Sequence, residues 1–403
     1  MVGKSPWKIV FLILVIALIL RACFVFYLKD HFYFDDEYEY WKMVANFISG
    51  EGLIAGENLK AYRPPLYPLF LAMLVEAGFG ITGIRIVQSV ISAMSCVVIF
   101  FLSRKIFNEK IAVMASFISC IYPFFIFYSG FLLTETLFVI LVLLSVYAFI
   151  RLTEPDASNY YGWFAGVITG SAGLCRPTIE LFFPFFLLFV LFSKSTQVKK
   201  RLIKSMFACI GFIFILSPWI IRNYIVIGKF VPGTTMGGAV FWEGNNPYSE
   251  GGPCRYFPEG VWQIEEAKRD QVFYRLTFEC IKENPQRFIW LVGRKFLRFW
   301  NVVPNASEYR GNLYRFISVA SFGLLLPFFV LGMVVFPHNT GSVLLMGLIA
   351  FFTLFHMIFL ASIRYRLAIE PFVIMFACYG LLWLVERIKK LKKYETVNYR
   401  TCL

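Results

Sequence analysis

The chain has 403 residues, 59% of them hydrophobic and 19% aromatic, with a mean hydropathy of +0.67. That is far above what a soluble domain sustains, so the composition excludes a soluble enzyme and places the chain among polytopic membrane proteins. The formal charge of +14 falls in short Lys/Arg clusters between apolar runs, the pattern of positive-inside orientation rather than of nucleic-acid binding.

In chain order, Lys4 and Lys8 precede the apolar run Ile9 to Leu20, which opens like a signal peptide but resumes after Arg21 and continues to Leu28. The total is long enough to span, and without a small-residue cleavage pattern it reads as a retained first span with a cytoplasmic N-terminus. Arg21 interrupts it and is expected to point inward or to snorkel. Further candidate spans are Ile84 to Leu102, Ile111 to Tyr128, Leu132 to Ile150, Tyr161 to Leu174, Ile179 to Phe192, Leu202 to Ile221, Phe316 to Phe336, Val343 to Leu360 and Leu367 to Val385. The expected fold class is an all-α polytopic bundle of about ten transmembrane helices. Its divisions are an N-terminal membrane module (1–222) with a first external loop at 29–80, an external segment (223–312), and a C-terminal membrane module (313–403).

The basic clusters agree with that count. Lys4/Lys8, Arg104/Lys105/Lys110, Arg151, Lys194/Lys199/Lys200/Arg201/Lys204 and Arg387/Lys389/Lys390/Lys392/Lys393 all fall on one side, read as cytoplasmic. The other face collects Asp35 to Glu39, Arg63, Glu135, Arg176, Arg222 and the pair Arg364/Arg366. In the external segment the run from Gly228 to Pro247 is rich in glycine and turn formers and is expected not to be helical. Asn284-Pro285 reads as an N-cap followed by proline at the first helical position. The helix it opens, with Arg287, Arg294, Lys295 and Arg298 among large apolar residues, is expected to lie in the headgroup layer.

The nine cysteines form no C-x-x-C pair and there are three histidines, which argues against zinc or redox chemistry. Cys254 and Cys280 would pair only in an oxidising compartment. The run Gly233 to Gly238 lacks a Walker lysine, which disfavours nucleotide-phosphate binding. The stretch D-D-E-Y-E-Y-W then stands out: Asp35, Asp36, Glu37 and Glu39 follow the first span directly, and Asp36 and Tyr40, four apart, would share a helix face. An acidic cluster is ordinarily a solvated helix cap, but ionisable groups at the end of a span are functional candidates. Glu135, near the start of another span on the same side, is either a helix N-terminal charge or a second functional acid. Aromatic side chains in such a chain mostly face lipid or pack, and among Trp219, Tyr224, Phe241 and Trp242 some are candidates to stack on a ligand.

These residues carry a resemblance. D-E-x-E-Y followed by a G-x-G turn (Gly50, Gly52), R-P-P-L-Y-P-L-F-L-A (Arg63 to Ala72), Y-P…L-T-E-T-L-F (Tyr122 to Phe138), C-R-P (Cys175 to Pro177), P-W-x-x-R-N-Y (Pro218 to Tyr224), G-N-N-P (Gly244 to Pro247), N-P-x-x-F…F-W (Asn284 to Trp300) and R-Y-R (Arg364 to Arg366) occur in this order. The sequence resembles the GT-C-fold, polyprenyl-phosphate-sugar-dependent glycosyltransferases, which include protein O-mannosyltransferases and lipid A aminoarabinose transferases.

The resemblance implies a catalytic aspartate at Asp36, with Asp35 as the one-residue alternative, taking a proton from the acceptor. It aligns Glu135 with the family's second acidic position and Arg63 with a basic residue on the donor phosphate. Arg176, Arg222, Arg364 and Arg366, with Tyr40 and Tyr62, are further substrate-binding candidates. A single displacement with one base predicts inversion. The implied partners are a polyprenyl-phosphate sugar as donor substrate, an acceptor lipid, glycan or protein, and the lipids of an inner or plasma membrane, with the site facing the periplasm or lumen. No cofactor and no metal ligand is implied, although a divalent cation held by Asp36 and Glu135 through waters stays open. The competing class is a secondary transporter or lipid-linked-sugar flippase, which would show repeats and midplane charges.

Overall fold

Inside a bilayer the backbone has no water to bond, so apolar runs of this length close their hydrogen bonds internally as helices. The computed structural model describes residues 6–56, 59–193, 196–305, 309 and 311–401. Lys4, Lys194 and the side chain of Lys393 lie outside them. The helices are α1 (Pro6–Leu28), α2 (Asp35–Ile48), α3 (Leu66–Glu76), α4 (Ile81–Ile106), α5 (Glu109–Ile121), α6 (Pro123–Ser129), α7 (Glu135–Leu152), α8 (Asn159–Cys175), α9 (Phe183–Phe192) and α10 (Val198–Ile227). After α11 (Gly237–Asn245), α12 (Glu266–Glu283) and α13 (Pro285–Phe299) come α14 (Asn312–Ser318), α15 (Leu324–Val335), α16 (Thr340–Ile358), α17 (Ile363–Arg366) and α18 (Glu370–Thr401).

All ten predicted spans are helical. Among the described residues seven helices are long and apolar enough to cross: α1, α4, α7, α10, α14 joined to α15 through a π-helical turn, α16, and α18 as far as Lys392. An eighth follows if α5 and α6 are one span, bent by 51° at Pro123, where the missing N–H interrupts the ladder. The other two are shorter: α8 has 17 residues, and α9 follows a 3-10 turn at Pro177–Phe182.

Close packing rests on glycine. Gly162, Gly166 and Gly170 are spaced four apart on α8, and a Cβ at each would meet the Lys204 carbonyl, the Ala208 carbonyl and the Ile215 side chain of α10. Small residues at that interval let two membrane helices approach backbone to backbone. The same device joins α15 to α18, where Gly332 faces the Phe376 carbonyl and Gly380 faces the Phe328 carbonyl. Arg21 points inward: it is fully buried, its Nε donates to Ser92 Oγ at 2.8 Å and its Nη1 to the Cys120 carbonyl at 3.0 Å, tying α1 to α4 and α5.

Between the membrane-length helices the local sequence signals hold with one exception. α2 and α3 lie within residues 29–80, and the Asn284 side chain accepts from the Arg287 N–H at 3.0 Å to cap α13, with Pro285 at its first position. The Gly-rich run is the exception, because residues 237–245 form α11. Its glycines serve contact rather than turning: a Cβ at Gly238 or Gly244 would strike the Asp270 or Phe359 carbonyl. The helix α10 runs without a break through residue 222 to Ile227. Cys254 and Cys280 are unpaired.

Charge separates along the bundle. The C-terminal end of α7 gathers Lys105, Arg151, Glu154 and Asp156, and Lys204 Nζ donates there to the carbonyls of Leu152 (2.9 Å) and Glu154 (2.8 Å). The N-terminal end of α7, about 25 Å away at 1.5 Å per residue, carries Glu135 and the cluster described next.

Candidate active site

The start of α2 sorts the four acids by helix geometry. Glu37 is fully buried: its Oε2 accepts from the N–H groups of Tyr33 (2.7 Å) and Phe34 (3.1 Å), and its Oε1 from the Leu132 N–H (2.9 Å) and Arg85 (3.3 Å). It satisfies donors ahead of the helix, as the acid of a capping box does, and fixes α2 against the approach to α7. Asp35 faces solvent, 88% exposed, with Arg255 at 3.7 Å. Asp36, Glu39 and Tyr40, at intervals of three and four from Asp36, share the remaining face.

That face meets Arg63, whose Nη2 donates to Asp36 Oδ1 at 2.9 Å and to Glu39 Oε2 at 2.5 Å, and whose Nε donates to Glu39 Oε1 at 3.2 Å. The other Asp36 oxygen accepts from Arg364 Nη1 at 2.5 Å, across 328 residues of sequence. Arg364 Nε also donates to Glu135 Oε1, the oxygen that accepts from Arg176 Nη2 at 2.5 Å. Arg176 Nε donates to Thr134 Oγ1 at 2.7 Å, and its guanidinium lies 5.7 Å from the Phe138 ring and 5.8 Å from the Tyr365 ring. Acid and guanidinium alternate from Glu39 through Arg63, Asp36, Arg364 and Glu135 to Arg176.

Burial alone would raise the Asp36 carboxyl, but the Arg364 and Arg63 guanidiniums outweigh it and hold the group well below the usual carboxylate range. Burial pushes the Tyr40 phenol up to about 12, so this ring stays neutral beside Arg63, whose guanidinium is 5.4 Å from it. Asp36, Tyr40, Arg63, Arg176 and Arg364 face a cavity of about 440 Å³, closed elsewhere by Phe138, Phe352, Phe355, Leu181 and the loop at 232–237. A mostly apolar pocket of this size with a few convergent polar groups is the usual form of a small-ligand site.

Other expected residues fall elsewhere. Arg222 lies outside the cavity wall: its Nη1 donates to the Lys60 carbonyl at 2.5 Å and its guanidinium stacks 4.8 Å from Trp219, so it fastens the segment between α2 and α3 to α10. Arg366 is fully buried, paired with Glu370 at 2.8 Å and donating to the carbonyls of Phe299 and Asn301, both at 2.9 Å. It anchors α13 to α18 and takes no position at the cavity. Asp35 does not reach the cavity, and Tyr62 stands behind Arg63 at 5.7 Å. Trp219, Phe241 and Trp242 are packed in the protein interior and Tyr224 is exposed; none lines the cavity. Among the described residues no three His, Cys, Asp or Glu side chains converge as a ligand set; Asp36 and Glu135 are instead bridged by Arg364. Among the cavity residues that are not sequence candidates is Glu180, within a predicted span. An acid inside an apolar run was the signal.

Residues 62–221 match the family model described as dolichyl-phosphate-mannose-protein mannosyltransferase. The chain is similar in structure to the oligosaccharyltransferase AglB from Archaeoglobus fulgidus in complex with an inhibitory peptide and a dolichol-phosphate (TM-score 0.59, 13% identity, 96% of this chain and 52% of that chain). The A. fulgidus enzyme tethered to an acceptor peptide gives a TM-score of 0.60 at 13% identity, covering 95% and 50%. ArnT from Cupriavidus metallidurans bound to undecaprenyl phosphate gives 0.47 at 14% identity, covering 94% and 78%. The chain thus spans about half the length of the oligosaccharyltransferase it matches, and no curated protein matches it in sequence. It has the all-helical membrane fold of the GT-C glycosyltransferases, the superfamily its motifs resemble.

Proposed function

We propose that the protein is an integral-membrane glycosyltransferase that moves a sugar from a polyprenyl phosphate to an acceptor on the periplasmic or lumenal face. The observation that carries this reading is the position of Asp36, held between Arg63 and Arg364 on a cavity wall. The dolichol-phosphate in the A. fulgidus enzyme supports it, since a protein of this fold there holds a polyprenyl phosphate.

A lipid phosphate entering the cavity competes with Asp36, Glu39 and Glu135 for three guanidiniums. Arginine suits this role because its planar fork matches phosphate oxygens in pairs. As the bond from the anomeric carbon to the phosphate oxygen breaks, negative charge grows on the phosphate, and guanidiniums already in place stabilise it without reorganisation. The same exchange frees Asp36. Its carboxylate then takes the proton of an acceptor hydroxyl whose oxygen forms the new bond to the anomeric carbon, so the proton ends on Asp36 and the leaving group is the lipid phosphate. One displacement inverts the anomeric centre.

A transporter or flippase needs ionisable groups along a path through the membrane, whereas these charges gather at one end of α7. The test is transfer of a labelled sugar from a polyprenyl phosphate sugar in reconstituted vesicles. Asp36→Asn is expected to lower transfer by about 10²-fold or more without weakening lipid-phosphate binding; undiminished transfer would remove Asp36 from the mechanism. Mass spectrometry of lipid-linked sugars from cells lacking the protein then names the donor by its accumulation.

A further inference from the structure

The cavity holds one carboxylate that the arginine network leaves out. Arg63, Arg176 and Arg364 are engaged with Asp36, Glu39 and Glu135, three cations against three anions. Glu180 lines the same cavity from the turn at Pro177–Phe182, and among the described residues its side chain makes no ion pair or hydrogen bond.

Its place is built into the chain. A Cβ at Gly173 would come within 2.6 Å of Glu180 Cγ and 2.8 Å of Oε1, so the end of α8 is stripped of a side chain where the carboxylate lies. Gly233 of the cavity loop is on its other side, 4.0 Å from Oε2 to the point a Cβ would occupy, and Trp219 Nε1 fixes that loop by donating to the Gly233 carbonyl at 2.7 Å. Pro177, Leu181 and Met236 add apolar surface to the same cavity lining. Glu180 is half-buried, so its carboxylate is reached from the cavity, and a ligand there gains by supplying it with hydrogen-bond donors.

We infer that Glu180 is the sugar-reading residue of the cavity: its carboxylate accepts hydrogen bonds from vicinal hydroxyls or an amine on the sugar ring, while the arginines hold the lipid phosphate. This rests on the glycosyltransferase reading above. Gly173 makes room for the carboxylate itself and Gly233 keeps the facing part of the cavity lining free of a side chain, and the division of labour separates what is common to all polyprenyl phosphates from what distinguishes one sugar from another.

The experiment compares binding of bare decaprenyl phosphate with decaprenyl phosphates carrying a neutral hexose, an amino sugar or an N-acetylated hexose, in nanodiscs. The proteins are the unaltered chain, Glu180→Gln and Glu180→Leu. At least one sugar is expected to bind the unaltered protein more tightly than the bare lipid phosphate. That gain should fall by about tenfold or more in Glu180→Leu, as for hydrogen bonds to a charged group, and by less in Glu180→Gln. Bare lipid phosphate should bind all three proteins alike, which also shows that they are folded. A sugar gain that survives in Glu180→Leu, or no gain from any sugar, overturns the inference while leaving the phosphate site standing. Failure of the unaltered protein to bind decaprenyl phosphate overturns the glycosyltransferase reading and this inference with it.

Discussion

Arg364 is the hinge of the charge network, and its replacement gives a graded prediction. One guanidinium donates through Nη1 to Asp36 and through Nε to Glu135, whose side chain is 1% exposed against 23% for Asp36. A lysine is a single point charge and reaches one of these acids. Arg364→Lys should therefore cost one charge-assisted hydrogen bond, worth about 1.5–3 kcal/mol, at the low end because Asp36 is partly solvated. Arg364→Gln removes the cation from both. Breaking a buried pair outright costs about 3–5 kcal/mol, and Glu135 keeps Arg176, so a loss of about 3 kcal/mol is expected. Unfolding of the purified protein in nanodiscs measures both, and a cycle with Glu135→Gln isolates the coupling, expected at about 1–3 kcal/mol. Additive effects of the two substitutions, or a loss below about 0.5 kcal/mol for Arg364→Gln, would refute the bridge.

Further outcomes follow from single residues. Asp35→Asn should leave sugar transfer unchanged in the vesicle assay, since the side chain is 88% exposed, whereas Glu37→Gln should cut the yield of folded protein on gel filtration, because it leaves buried Arg85 without its carboxylate. Gly166→Ala places a Cβ against the Ala208 carbonyl and 2.7 Å from the Phe212 nitrogen; a melting curve should show destabilisation of about 1–3 kcal/mol. Lys295 on α13 is fully buried, donates to Asn245 Oδ1 at 2.7 Å and the Ile358 carbonyl at 2.8 Å, and is pushed down to about 7 by burial. Between that value and the unfolded lysine value of about 10.4 the unfolded chain holds the extra proton, so stability should rise with pH across this window. The rise, measured by thermal unfolding from pH 6 to about 10, should be absent in Lys295→Met.

The spans were legible because hydropathy needs no tertiary information, and the Asn284-Pro285 cap because its signal is local. The candidate site was legible where helix spacing applied: Asp36 and Tyr40, four apart, share a face, whereas the pairing of Glu39 with Arg63 and the exposure of Asp35 are visible only in the fold. The same rule separates Arg364 from Arg366, which are two apart on α17 and so point to different sides, although nearness to a span end makes both substrate-binding candidates. Arg222 was misplaced for a different reason, since its partners are backbone carbonyls of a loop more than 160 residues earlier, and carbonyls leave no mark in a sequence. The helix at 237–245 was hidden because glycine signals both a turn and a close contact, and only the carbonyls of Asp270 and Phe359 show which applies.

The central claim is that lipid phosphate and Asp36 compete for the same guanidiniums. Titration of decaprenyl phosphate into the unaltered protein and Asp36→Asn tests it directly. With the competing carboxylate removed, the lipid phosphate should bind Asp36→Asn several-fold more tightly even though sugar transfer is lost; equal or weaker binding would contradict the account.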